Sequence, residues 1–193
     1  MTEEYIPLAT ADDVVPVVGR ALTPEETQRV DAVLAKASEL FRRESGQQFT
    51  PGRSQQRLKV DGGEVRLPQR PVTAVHELLD SRGRPVSFTR FKSVLTTPLS
   101  ASEFVIVDYS HGDEIVPELV RLAIAEIAKT VLTVSKDAAA GLTASTRVRG
   151  PFTRQETYAT WAIGGTTRLA PEDVALARSF RTRLGGTHVA AGR

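Results

Sequence analysis

The spacing of apolar residues changes period twice along this chain, and that change limits what the chain can fold into. Between Thr23 and Ser45, Val30, Val33, Leu34, Ala37 and Phe41 recur three or four residues apart, which gathers them on one face of a helix. From Pro51 to Ser110 the apolar positions alternate, as they do on half-buried strands. From Pro117 to about Ser135 helical spacing returns, with Val120, Ile124, Ile127, Val131 and Val134 in one stripe. The expectation is an α+β fold: a small helical bundle from residues 10–45 and 117–135, with a β-rich insertion over 51–110.

Local signals place the ends of these elements. Thr23 is a helix cap, Pro24 suits the first helical position, and Glu26 stands three residues after the cap to complete a capping box; Gly46 ends the helix. Ala11 to Val18 reads as a short helix closed by Gly19, with Pro16 tolerated if Asp12 or Asp13 is the cap and the proline falls in the first turn. Within the insertion, Leu58 and Val60 lead into Asp61-Gly62-Gly63 and out through Val65 and Leu67, which predicts a hairpin. Residues 72–79 and 85–91 make a second pair around Ser81-Arg82-Gly83, 104–109 a fifth strand, and 92–102 a loop or weak strand. Leu122, Ala123, Ala125 and Leu132 widen the apolar surface of the 117–135 helix, so a second burying surface from a neighbouring subunit is expected there.

The charge is uneven. Residues 1–140 carry 17 Lys+Arg against 20 Asp+Glu, whereas 141–193 carry 8 against 3, every one of those cations an arginine. The chain thus divides into a body, 1–140, and a basic arm, 141–193, suited to an anionic partner. The stretch after Asp137 is rich in Ala, Gly, Thr and Arg without periodicity, so it reads as extended, with a short helix from Pro171 to about Leu184 stopped by Gly185-Gly186. Trp161, the one tryptophan, reads either as a core residue folded back on the body or as an interface anchor.

Chemistry has few footholds. There is no cysteine, which removes disulfides, thiolate metal sites and a cysteine nucleophile. No apolar run is long enough for a membrane span and the first residues do not resemble a signal peptide, so no membrane contact and a cytoplasmic site of synthesis are expected. Asp108, His111, Asp113 and Glu114 crowd into seven positions, but His76 and His188 are distant, and a strand-to-helix corner explains the group better than a ligand set. Glu114 and Glu118 read as acids at a helix start. The pairs Gly62-Gly63, Gly164-Gly165 and Gly185-Gly186 lack phosphate-loop spacing, and no serine sits in a nucleophile elbow. The expectation is no catalytic residue, no cofactor, no metal, and a chain that is not an enzyme.

Three phrases, ALTPEETQRVDAVLAKASELFRRESGQQF, LPQRPVTAV before a turn, and VIVDYSHGDEIVPELVRLAIAEIA, in that order and covering most of residues 17–135, resemble the head-to-tail adaptor (head-tail connector or head completion) proteins of long-tailed bacteriophages. The arm matches only through a polar stretch ending in a Pro-started helix near 171, and Pro16 departs from the uninterrupted first helix of that family. The resemblance implies a ring, typically of twelve subunits, in the virion neck. It would dock beneath the portal protein, extend the DNA channel without reading sequence, and meet the next neck or tail protein. On that reading Val120, Ile124, Ile127 and Val131 pack subunits, and Arg147, Arg149, Phe152, Arg154, Tyr158, Trp161 and Arg168 of the arm meet the portal. The alternative is a nucleic-acid-binding module whose arginine arm grips phosphates.

Overall fold

The computed structural model describes residues 6–100, 103–134, 144–149, 152–157 and 166–182, the two short stretches from 144 to 157 as backbone alone. It is a mixed fold of helices and antiparallel sheets. The chain packs as two units. One takes residues up to Glu44 together with Val116–Ala177; the other takes Ser45–Ile115 with the chain from Arg178 onward.

The helical unit begins with α1 (Ala11–Val18) and α2 (Pro24–Ser45). The box at the start of α2 forms as its sequence predicts: Glu26 N donates to Thr23 Oγ1 at 3.3 Å and Thr23 N donates to Glu26 Oε2 at 2.8 Å. Arg20 joins it, donating from both terminal nitrogens to the Glu26 carboxylate at 2.7 Å each. In α1 the cap is Thr10, not Asp12 or Asp13. Asp13 instead reaches back to Thr10 N at 2.8 Å, so Pro16 lies inside the helix rather than in its first turn. The helix ends two residues later at Val18, with Gly19 at φ +78° accepting the left-handed turn.

Helix α3 (Glu118–Leu132) starts one residue after the expected proline, which serves as its cap, and stops before Val134. α1 packs against α3, where Arg121 lies 3.9 Å from Asp13. Buried Ser38 ties the chain before α1 to α2, accepting from Leu8 N at 2.9 Å and donating to Leu34 O at 2.7 Å. Val14, Val30, Leu34, Ala37, Phe41, Val120, Ile124 and Ala128 are all fully buried.

The β unit departs from the expected pairings. Gly62 and Gly63, at φ +58° and +81°, make the predicted turn, and Asp61 and Glu64 exchange backbone hydrogen bonds across it at 2.8 and 2.9 Å. The strands then part. β1 (Gly52–Lys59) pairs along its whole length with β6 (Phe104–His111), whereas β2 (Glu64–Arg66) pairs with β5 (Val94–Thr96). Pro68 explains the choice, since it limits β2 to a few rungs while β6 offers β1 eight. Likewise β3 (Val72–Asp80) joins the other edge of β6, and the expected second hairpin is reduced to one bridge, Leu79 to Pro85. β4 (Thr89–Phe91) pairs instead with β5, the weak strand of the 92–102 segment, which becomes the centre of its sheet.

Two three-stranded sheets result, ordered β1-β6-β3 and β2-β5-β4. They share one apolar cluster of Val60, Val65, Leu67, Leu78, Leu95, Val105, Val107 and Tyr109. The arm, expected to be extended before a short helix, contains a hairpin of β7 (Ala144–Arg149) and β8 (Phe152–Thr157), and its helix α4 (Pro171–Ser179) ends five residues before Leu184.

Candidate functional site

Alternation along β6 takes apart the group that crowds together in sequence. Val105, Val107, Tyr109 and His111 are buried, and the residues between them belong to the opposite, half-exposed face. On that outer face Arg53 donates from Nε to Asp108 Oδ1 at 2.8 Å, His76 Nε2 and Ser110 Oγ lie 2.7 Å apart, and the Arg57 guanidinium sits 4.5 Å over the Phe104 ring. The Arg53 hydrogen bonds, above all, hold the Asp108 carboxyl below its usual range, so it is an ionised partner rather than a proton donor.

On the inner face His111 is 3% exposed, its Nε2 is 2.8 Å from Ser54 Oγ, and burial pushes its pKa down. That environment keeps the imidazole neutral near pH 7. Asp113 and Glu114, beyond the end of the strand, are exposed. Gly112 makes the corner possible. Its φ is +87°, and a Cβ there would stand 2.0 Å from Thr50 O, so only glycine lets the two backbones approach. Among the described residues, no group of three or more His, Asp or Glu side chains is arranged to hold a metal ion.

The most elaborate polar construction lies at the other end of the Tyr109 ring, where sequence reasoning singled out a phrase but not its role. Gln47 and Gln69 exchange side-chain hydrogen bonds with each other's backbone neighbourhoods. Gln47 Nε2 donates to Pro68 O at 2.7 Å and Gln47 Oε1 accepts from Arg70 N at 2.9 Å. Gln69 Oε1 accepts from Gln48 N at 2.8 Å, and Gln69 Nε2 donates to Gly46 O at 2.9 Å. Gln69 N in turn donates to the Tyr109 hydroxyl at 3.3 Å. The prolines of LPQRPV remove two backbone donors, and the glutamines satisfy groups on either side, which is why both are buried without penalty.

The end of the arm completes this construction. Thr182 Oγ1 donates to Pro68 O at 2.7 Å, Arg70 Nη2 donates to Phe180 O at 2.8 Å, and the Phe180 ring meets Phe49 edge-on with centroids 5.4 Å apart. Phe49 holds φ at +63°, an uncommon angle for a bulky residue, and does so where this contact is made. No sequence periodicity announces these residues; the bracketing prolines were the one available signal.

The residues proposed for partner contact are dispersed. Val120, Ile124, Ile127 and Val131 are 0%, 0%, 3% and 7% exposed within the single chain, so they already line its own core. The exposed apolar side chains of α3 are Leu119 and Leu122, with Ile115 just before the helix. Arg147, Arg149, Phe152 and Arg154 fall on β7 and β8, Arg168 is exposed ahead of α4, and Tyr158 and Trp161 lie outside the described residues. Among the described residues, no helix is long and apolar enough to cross a membrane. No protein-family model matches the chain, and no curated protein matches it.

Proposed function

We propose that this chain is a structural subunit, a head-to-tail adaptor of a long-tailed bacteriophage, that assembles as a dodecameric ring beneath the portal in the virion neck and joins the capsid to the next neck or tail protein. The observation that carries the reading is the insertion of six β-strands between α2 and α3, in the same order as the phrases that resemble that family. A helical unit interrupted in this way suits a subunit whose helices form the wall of a ring. Because Val120, Ile124, Ile127 and Val131 are occupied internally, subunit packing falls to the exposed Leu119 and Leu122. The arm after residue 141 is the docking device toward the portal, and the function is assembly rather than catalysis.

The test is the mass of the protein with and without its portal ring. A stoichiometric ring that forms on the portal, and fails to form with Leu119→Glu and Leu122→Glu together, supports the reading. A chain that remains a monomer beside an intact portal overturns it.

A further inference from the structure

We propose that one face of the β7–β8 hairpin is a binding site for the phosphate backbone of nucleic acid, with Arg147, Arg149 and Arg154 as its cations. The register carries the argument. Arg147 pairs with Arg154 and Arg149 with Phe152, and since residues two apart on a strand share a face, all four positions occupy the same face of the ladder. Ser145 and Glu156 close that face at its far end; Thr146, Val148, Thr153 and Gln155 take the other. Three of the arm's cations are therefore gathered on one side of two six-residue strands whose opposite side is uncharged.

This arrangement works against the hairpin itself. Like charges directly across an antiparallel ladder repel, because opposed positions are roughly 5 Å apart, and next-but-one positions on a strand are only about 7 Å apart. Both separations lie within the screening length of about 8 Å at physiological salt, so neighbouring charges are felt. The one carboxylate on that face, Glu156, is outnumbered by three arginines, so most of the compensation comes from outside. A polyanion supplies it. Duplex DNA carries charges closely spaced along a strand, and a row of cations a few ångströms apart can neutralise several at once. All three cations are arginines, whose planar fork suits two hydrogen bonds to a phosphate, and Phe152 occupies a position of the same face, the mixture typical of nucleic-acid surfaces. An acidic protein patch would need matching carboxylates at fixed positions, whereas a phosphate backbone offers anions in any register. The inference does not depend on ring formation: it holds for a subunit lining a DNA channel and for a free-standing binder.

The experiment measures binding of the full chain to two duplex DNA oligonucleotides of unrelated sequence, as a function of salt. The hairpin variant Arg147→Gln, Arg149→Gln, Arg154→Gln is compared with a control that removes the same charge elsewhere, Arg29→Gln, Arg82→Gln, Lys129→Gln, all exposed positions. Thermal unfolding confirms that both variants fold. Three phosphates at roughly 0.9 each contribute about 2.7 to the slope of log affinity against log salt, so between 50 and 200 mM salt the wild type and the control should lose about 40-fold more affinity than the hairpin variant. Equal binding to both sequences is expected. Three results overturn the proposal: no DNA binding by the wild type, an equal loss in the control, or a hairpin variant that keeps its DNA affinity and salt slope while losing attachment to a protein partner.

Discussion

Helix α2 and strand β6 are the organising elements of their two units, yet their hydrogen bonds span very different lengths of chain. Each bond inside α2 closes over four residues, and the box that starts it involves Thr23 and Glu26, three apart. Strand β6 bonds along one edge to β1, with Gly52 opposite His111, and along the other to β3. The helical unit can lose a local contact and keep its elements. The β unit has a middle strand, a glutamine clamp and a glycine corner that all depend on one another, so damage at one point should spread through it.

The largest effect is expected from the corner. Gly112→Ala places a Cβ against the Thr50 carbonyl at a φ that disfavours side chains, and should cost about 4 kcal/mol in chemical denaturation. Amide exchange should show lost protection in β1, β3 and β6 while α2 stays protected. Loss spread evenly over both units would break the comparison. Next comes Leu95→Ala in β5, fully buried at the centre of the second sheet, expected to cost about 3 kcal/mol. A cost under about 1 kcal/mol would mean that the β2-β5-β4 sheet contributes little to the unit.

In the helical unit Thr23→Ala should cost only about 1 kcal/mol, with β-unit exchange unchanged. The most delicate test uses pH. Burial depresses the pKa of His111, so its folded state disfavours the proton, and the β unit should weaken as pH falls below the ordinary 6.5. Arg20, chiefly, holds Glu26 at about 2 instead of 4.5; its contribution is fully present above 4.5 and is lost as pH falls toward 2. Acidification should therefore loosen the β unit first and the start of α2 later. Exchange measured from pH 7 to pH 3 checks the order, and Glu26→Gln should remove the second step alone.

What the amino-acid sequence determined by itself was whatever is decided within a few residues. The capping box at Thr23, the span of α2, the Asp61-Gly62-Gly63-Glu64 turn, the apolar stripe of α3 and the start of α4 at Pro171 were all legible, because each rests on the period or the conformational limits of adjacent residues. The tertiary structure decided which strands pair. Leu58 and Val60 are compatible with a hairpin partner at Val65 and Leu67, but Pro68 keeps that partner short and the eight-residue edge of β6 draws β1 away from it. The candidate sites divide in the same way. Alternation alone could have separated Asp108 from His111, but the clamp of Gln47, Gln69, Tyr109 and Thr182 joins four distant points of the chain, and no local pattern encodes such a meeting. A helix is written in nearest neighbours. A sheet is a competition among all strands for a limited set of edges, and it is settled only when the whole chain has folded.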